Sequence, residues 1–535
     1  MVTAGRAIRW TRRLLDSLGI ACVGWVKRSA APPTAGKKWW GCASLDPPYF
    51  LKPRPGLRVF DVRRPGRRRR FHLRTKTDGA AVLIVDATDA IHLNPTAALL
   101  ARLALEETPV DRAAAVLRGR FRGVGAAEAR SAVDHVYSLI ERLTDLTASC
   151  PTCGLAEVIV KWLPPFSVPI SAPYKADLAL SYGCNNNCPH CYSKNRVPLA
   201  KPVPPLPRRV PLAKPVPPLA PRPSPLSFSR WRNILERLAE IGVPHVIFTG
   251  GEPTLFDGLP ELVRRSTELG LVSGLNTNGR RLSDPAYVEL LRAAGLDHVQ
   301  ITLQSFDPAV HDAMSGAAAF DETTRGLKNA LAAGLHAITN TTLTRRNVGQ
   351  AGRLVEFLHG LGPRTFAMNG MIFAGGGRTS GDEIAPEELA PVLADVRDRA
   401  AELKMRFLWY TPTEYCRLSP VELELGPRRC NAGEYSICIE PGGDVIPCQS
   451  YYVPAGNILR DRWRDIWESE VFRGFRRRTA DPRGAGLPER CWNCPDLPLC
   501  GGGCPLEREH NNPRNTLPRT PSSVRYAMSR TITGG

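Results

Sequence analysis

The chain of 535 residues contains no apolar run long enough to cross a membrane as a helix. Its best stretch, Leu18 to Val26, is about half of the ~20 residues a span requires, so no membrane partner is expected. The Arg-rich segment ahead of it has some features of a signal peptide. Asp16 beside the apolar stretch and the lack of a convincing cleavage site argue instead for an amphipathic helix or a start codon assigned too early. The chain also lacks a basic stripe interleaved with aromatics, which a nucleic-acid groove would need. It is nevertheless basic: 71 Lys and Arg against 51 Asp and Glu leave a formal charge of +20. That balance favours acidic partners in general (nucleic acid, anionic membrane, acidic peptide) and selects none of them. Even spacing is missing from the cysteines. There are 15, an odd number, bunched in Cys-x-x-Cys-like groups, which in a chain this long points to metal ligation before disulfides.

Composition is otherwise that of a globular protein, 43% hydrophobic and 23% charged, and the length suggests about three domains. Residues 1–45 carry no assignment. Residues 46–145 read as a small α+β domain. Leu57 to Val62 and Ala81 to Val85 are its strands, around an Arg-rich turn that puts Arg67 to Arg70 on a solvated face or loop. Ile91-His92-Leu93-Asn94-Pro95-Thr96 leads into an apolar helix, Ala97 to Leu105. Thr108-Pro109-Val110-Asp111 opens a second, with Thr as cap, Pro at the first position and Asp complementing the dipole. A third runs from about Ala126 to Leu143. Residues 146–174 form a linker holding Cys150 and Cys153, a redox pair, half a zinc site or an incidental structural pair. Cys22 and Cys42 receive no role.

Residues 175–385 alternate short apolar strands with amphipathic helices. Strands are expected at Ala176–Leu180, His245–Phe248, Leu271–Asn276, His298–Leu303, Ala337–Thr342 and Thr365–Met371. The helices between them carry the 3.6-residue stripe, as in Trp231, Leu235, Leu238 and Ile241. Gly242, Gly270, Gly295, Gly334 and Gly362 mark helix ends. Repeated strand–helix units imply α/β architecture with a parallel sheet, a partial TIM-like (β/α)6 barrel two units short of the full eight. Within it, residues 197–225 are low complexity. The string VPLAKPVPPL occurs at Val197–Leu206 and again at Val210–Leu219, and such proline density favours extended polyproline II. The insertion is either a duplicated surface loop or a docking site for an aromatic-grooved partner. Residues 386–510 form the last domain; residues 410–510 are cysteine-rich with little periodicity, so metal is expected to hold them together. Residues 511–535 are expected to be a disordered tail.

Cys184-Asn185-Asn186-Asn187-Cys188-Pro189-His190-Cys191 follows the first barrel strand directly. Three thiolates within eight residues can converge on one metal centre. A [4Fe–4S] cluster usually takes four cysteines, so three leave one iron open to a small molecule; zinc prefers four closed ligands. This Cys-x3-Cys-x2-Cys loop, with His190 before the third cysteine, resembles the signature of the radical S-adenosylmethionine (SAM) superfamily. Thr249-Gly250-Gly251-Glu252-Pro253 resembles that family's Gly-Gly-Glu-Pro motif, which holds the methionyl amino group of SAM. Asn276-Thr277-Asn278-Gly279 ends the third strand where the family has such a turn, and Ser305 follows the fourth where the family contacts the ribose. The resemblance implies that Cys184, Cys188 and Cys191 bind a [4Fe–4S] cluster. It implies that His190, Gly250, Gly251, Glu252, Pro253, Asn278 and Ser305 bind SAM. The implied chemistry is reductive cleavage of SAM to a 5′-deoxyadenosyl radical that abstracts hydrogen from substrate. Beyond the cluster, no catalytic residue is identified.

Further on, Cys430-x12-Gly443-x4-Cys448 and Cys491-x2-Cys494-x5-Cys500-x3-Cys504 resemble the SPASM extension of these enzymes, which carries auxiliary iron–sulfur clusters; alone, the four-cysteine run would also suit a zinc knuckle. The resemblance implies that Cys504 joins Cys430 and Cys448 in one cluster, while Cys491, Cys494 and Cys500 hold the second. The family's last cysteine is missing, since residues 505–535 contain none. The second cluster would then use another ligand such as His510, bind substrate at an open iron, or be absent; Cys416 or Cys438 is available to complete the first.

Residues 46–145, from their Pro-rich entry, Asp78 to Val85 and the phrase Ile91 to Ala98, resemble the PqqD-like domain that recognises precursor peptides. Such domains have a small winged-helix fold and bind a leader peptide as an added strand; a plain winged helix that binds nucleic acid is the alternative. The three resemblances together imply an oxidoreductase that matures a ribosomally made peptide by carbon–carbon or thioether crosslinking. Its partners would be a precursor peptide with a leader and a reductant such as flavodoxin or ferredoxin, and its location the reducing cytoplasm. Other readings are a maturase acting on a protein residue or a tetrapyrrole, and, in a different class, a nucleic-acid-binding iron–sulfur protein, which salt-dependent RNA binding would support.

Overall fold

The computed structural model describes residues 56–144, with breaks at 65–66, 77, 86–88 and 122, then residues 170–194 and 226–511. The apolar stretch Leu18–Val26, Cys22, Cys42, Cys150, Cys153, the proline repeat and the tail beyond residue 511 lie outside the described residues.

The first sheet is antiparallel, with β1 (Gly56–Arg64), β2 (Arg67–Thr75), β3 (Ala81–Val85) and β4 (Asp89–Leu93) in sequential order. The arginine run expected as a turn is the start of β2, with Arg70 opposite Asp61. The two-residue period explains it. Phe71 and Leu73 enter the core of this unit, while Arg70, His72 and Arg74 occupy the other face and are buried as well. Charged residues that a neighbouring surface covers look, in sequence, like a solvated edge. Strand β4 is too short to announce itself, yet Ile91 and Leu93 join the same core.

The helices are Pro95–Leu105, Val110–Arg120 and Ala126–Thr144. The Asn94 side chain caps the first by accepting from Ala97 N–H at 2.8 Å. The second starts later than expected. Pro109 occupies its cap position without a side-chain hydrogen bond, because the Thr108 N–H closes the previous helix by donating to Leu103 O at 2.9 Å.

The second sheet holds β5 (Lys175–Ser181), β6 (His245–Gly250), β7 (Val272–Thr277), β8 (His298–Thr302), β9 (His336–Thr342), β10 (Thr365–Asn369) and β11 (Arg406–Trp409). It continues with β12 (Ser436–Ile439), β13 (Asp444–Ile446) and β14 (Gly456–Asn457). Strand order is β11-β10-β9-β8-β7-β6-β5-β12-β13-β14. Strands β5 to β11 are all parallel, the arrangement of a partial TIM barrel, with β11 a seventh strand beyond the six expected. Helices cover the outer face, and Trp231, Leu235 and Leu238 are fully buried beneath it. The cysteine-rich segment is not a core-poor appendage. Strand β12 adds in parallel to β5, and Ile437, Ile439, Val445, Trp467 and Phe472 belong to the main barrel core.

The small unit docks on the barrel through β2. Arg70 forms a fork with Asp297 at 3.0 and 3.1 Å and donates to Leu271 O. His72 Nε2 lies 2.7 Å from Gly270 O, and Arg74 donates to Ala172 O and Pro173 O at 2.8 and 2.9 Å and to Gly242 O. Burial lowers the Arg74 pKa to about 10, and the carbonyls that receive it include the negative end of a helix dipole at Gly242. Every one of these acceptors lies just before a barrel strand, at the end of the barrel opposite the strand ends that carry the cysteine loop. No helix among the described residues is long and apolar enough to cross a membrane.

Candidate active site

A cavity of about 520 Å³ opens at the C-terminal ends of the parallel strands, where barrel folds place their chemistry. Cys184, Cys188, His190, Cys191, Gly250, Gly251 and Asn278 line it. Glu252, Pro253 and Ser305, also read as SAM-binding, are buried and do not line it.

The cysteine loop is held from several sides. Asn187 N–H donates to Ser315 O at 2.9 Å, Arg280 donates to Asn185 O at 2.6 Å, and Asn278 Nδ2 donates to Asn185 Oδ1 at 2.7 Å. Gly376 N–H donates to Cys191 O at 2.9 Å. At Gly376 a Cβ would stand 2.2 Å from Pro189 O, and at Gly375 2.3 Å from Tyr192 O. The triple glycine Gly375–Gly377 was not singled out from sequence; its only signal there is the run itself. It clamps the loop because backbone meets backbone with no room for a side chain.

The three thiols line the cavity together, Cys184 exposed and Cys188 and Cys191 half-buried. Burial, then the neighbouring Cys191 and Cys184, push the Cys188 thiol up to about 12. Burial also raises Cys184. Burial lowers His190 to about 4, so its ring is neutral. Gln304 Oε1 accepts from Thr342 N–H at 3.0 Å, which turns Gln304 Nε2 toward His190 Nε2 at 3.3 Å. That places the imidazole proton on Nδ1.

The Gly250–Gly251 turn is equally tight. Gly251 N–H donates to Ser181 O and Glu252 N–H to Gly183 O, both at 2.8 Å. A Cβ on Gly251 would lie 2.2 Å from Gly183 O. Glu252 acts beneath this turn. Its Oε1 accepts from the Thr254 and Thr277 hydroxyls, each at 2.7 Å, and its Oε2 from Asn278 N–H at 2.8 Å. The carboxylate thus ties the end of β6 to the end of β7, although burial raises its pKa. Ser305 is similarly occupied, donating to Gln350 Oε1 at 2.7 Å.

Two further sets of thiols lie in the C-terminal segment. Cys430, Cys448 and Cys504 pack with Tyr451, Phe475 and Leu506. Burial, then proximity to Cys430, raises the thiols of both Cys448 and Cys504, the latter to about 12. Tyr192, next to Cys191, packs against the same patch and donates to Gln449 at 2.9 Å, linking this set to the cavity. Cys491, Cys494, Leu487 and Leu497 form a separate patch, and Cys500 ends the short helix that Leu497 begins. Cys438 lies inside β12 against Ala179 and Ile446. His510 stacks on Phe373 at 4.5 Å, on the side of the first set.

Among the described residues no three His, Cys, Asp or Glu side chains are placed to share a single metal ion. Cluster thiolates each bind a different iron, so they stand apart around a common volume. The backbone cradles at Gly250, Gly251, Gly375 and Gly376, together with three thiols turned toward one cavity, fit such a group.

Comparison with known proteins agrees with this geometry. The radical SAM superfamily profile matches residues 178–358, and that of an iron–sulfur cluster-binding domain, SPASM, matches residues 430–495. A PqqA peptide cyclase of Xanthomonas campestris pv. campestris (strain 8004) is 32% identical over 286 residues, 51% of this chain and 72% of its own length. An AdoMet-dependent heme synthase of Methanosarcina barkeri (strain Fusaro / DSM 804) is 28% identical over 62% of this chain and 91% of its own. Among solved structures, Streptococcus suis SuiB bound to its precursor peptide SuiA shares the fold at a TM-score of 0.51 and 19% identity, covering 80% of this chain and 93% of that one.

Proposed function

Because the chain belongs to the radical SAM superfamily, in the branch with a SPASM extension, we propose that it oxidises a ribosomally made precursor peptide, forming a carbon–carbon or thioether crosslink. The observation that carries the reading is the small α+β unit locked onto the barrel by Arg70, His72 and Arg74. Its strand β4 is hydrogen-bonded on one side only among the described residues, an edge to which a leader peptide can add as a further strand. Relatives described as a PqqA peptide cyclase and as bound to a precursor peptide support the same substrate class.

Cys184, Cys188 and Cys191 would hold the cluster that binds SAM, and the sets around Cys430, Cys448 and Cys504 and around Cys491, Cys494 and Cys500 the auxiliary clusters. When bound, the cluster and SAM supply reductive cleavage to a 5′-deoxyadenosyl radical able to take hydrogen from an unactivated C–H bond. The chain's own residues prepare the place. Gly250 and Gly251 let the β6 turn approach the cysteine loop without a side chain between them. Asn278 braces the loop through Asn185, and Glu252 fixes both strand ends. His190 is neutral and offers an Nδ1 proton as a hydrogen-bond donor. Deeper, Gln300, Asn340, Asn369 and Gln449 line the cavity, a carboxamide wall matched to peptide N–H and C=O groups. Asn340 Oδ1 is buried without a protein partner and is available to accept from a substrate N–H. Lys194 is the one Lys or Arg among the lining residues, which suits a tetrapyrrole with several carboxylates poorly. The thiols require a reducing compartment, so the cytoplasm and a flavodoxin- or ferredoxin-type reductant complete the reading.

Co-expression with short peptides encoded beside the gene, followed by mass spectrometry, tests it. Loss of two hydrogens per crosslink in one peptide, absent with the Cys188→Ala variant, is the expected result. Unmodified peptides alongside active SAM cleavage would refute the peptide assignment.

A further inference from the structure

The second auxiliary set is one sulfur short in the run of cysteines that defines it, and residues 505–535 contain no cysteine. The fold supplies one from upstream. The loop after β11 passes directly against this set. Tyr415 N–H donates to Cys500 Sγ at 3.4 Å, and Thr413 O lies 3.6 Å from the same sulfur. On the other side, Glu414 pairs with Arg490, the residue before Cys491, at 2.7 Å. Cys416 is the next residue along this loop. It follows Tyr415, whose N–H reaches Cys500, and stands two residues from Glu414, which Arg490 holds beside Cys491. The competing candidates lie elsewhere: Cys438 is sealed within β12, and His510 stacks on Phe373 beside the first set.

We propose that Cys416 is the fourth thiolate of the second auxiliary cluster, with Cys491, Cys494 and Cys500, in place of the missing downstream cysteine. The inference rests on the cluster reading given above. Ligation forms an iron–sulfur bond at Cys416 Sγ and passes the thiol proton to solvent. One feature suits that step: Cys416 is exposed, so the proton has a way out. The Arg490–Glu414 pair holds the loop against Cys491, so the fourth ligand is positioned before iron arrives. A distant part of the chain then closes the cluster, which ties the loop after β11 to the C-terminal cysteines.

The test uses the full chain carrying Cys184→Ala, Cys188→Ala and Cys191→Ala, so that only auxiliary iron is counted. After anaerobic reconstitution with ferrous iron and sulfide, iron and labile sulfide are measured and electron paramagnetic resonance spectra recorded. Adding Cys416→Ala should remove up to one cluster, about four irons per chain, or convert it to a three-iron form with its own spectrum. Adding Cys438→Ala should change neither count nor spectrum. As a check independent of folding, iodoacetamide labelling of the otherwise native chain should modify Cys416 in the iron-free protein and spare it in the loaded one. Unchanged iron and spectrum with Cys416→Ala, or equal labelling of Cys416 in both forms, would overturn the assignment alone. No auxiliary iron in the parent would overturn the cluster reading and this inference together.

Discussion

Replacing Gly376 with alanine is expected to dislodge the cysteine loop while leaving the barrel folded. The new Cβ would stand 2.2 Å from Pro189 O and 3.3 Å from Cys191 N. Carbon and oxygen pack no closer than about 3.3 Å, so the two backbone segments must separate by roughly 1 Å. Both neighbours are main chain, so no rotamer change relieves the contact. The Gly376 N–H to Cys191 O bond, now 2.9 Å, would be stretched out of hydrogen-bonding range. The lost bond and the overpacking together cost about 1–3 kcal/mol, a drop of a few degrees in melting temperature for a chain of this size. Cluster loading should suffer far more, because the loop positions all three thiols. Gly360 provides the contrast. It lies within the helix Ala351–Leu361, and a methyl group there would meet nothing within 4 Å, so Gly360→Ala should stabilise by about 0.5–1 kcal/mol. The assay is thermal melting beside iron content and 5′-deoxyadenosine yield after anaerobic reconstitution. A Gly376→Ala protein that loads iron and cleaves SAM as the parent does would refute the clamp.

Three further outcomes are expected. Asp297→Ala leaves the Arg70 charge buried under the small unit and should cost about 3 kcal/mol or more, read as an early unfolding transition; an unchanged melt would contradict the docking account. Burial holds His190, His298 and His311 near a pKa of about 4 against an ordinary 6.5. The unfolded chain therefore takes up protons first as pH falls, so their contribution is complete above about pH 6.5 and declines toward pH 4. Denaturant unfolding across that window should show a shallower slope in His311→Gln, and an identical slope would count against the burial argument. Asn340→Ala should leave SAM cleavage without peptide intact and lower kcat/KM for a modified peptide about five- to tenfold, the value of one hydrogen bond; equal kinetics would remove Asn340 from substrate contact.

What the sequence disclosed follows from how local each signal is. The barrel strands were legible because each is a short apolar run between glycine-marked helix ends, and the cysteine loop because its spacing is contained in eight residues. The Gly250–Gly251 turn was legible for the same reason. Arg70 was read as solvated because its covering surface, Leu271 to Asp297, lies 201 to 227 residues away. Strand β11 escaped notice because Arg406–Trp409 is only 4 residues long. The role of Gly375 and Gly376 depends on an approach to residues 189–194 that no local pattern records. Cys416 was visible as a spare thiol, but the loop contacts that bring it near Arg490 and Cys500 were not, and the sequence offered it to the first set. Glu252 was legible as a motif residue, whereas its position beneath the turn, bonded to Thr254, Thr277 and Asn278, emerged only from the fold.

The central claim is that three thiols at the mouth of this barrel serve radical SAM chemistry. The most direct measurement is anaerobic reconstitution of the full chain, incubation with SAM and dithionite, and quantification of 5′-deoxyadenosine by mass spectrometry, with Cys188→Ala in parallel. The account predicts 5′-deoxyadenosine from the parent and none from the variant. An iron-loaded parent that makes no 5′-deoxyadenosine, or a variant that makes as much as the parent, would contradict it.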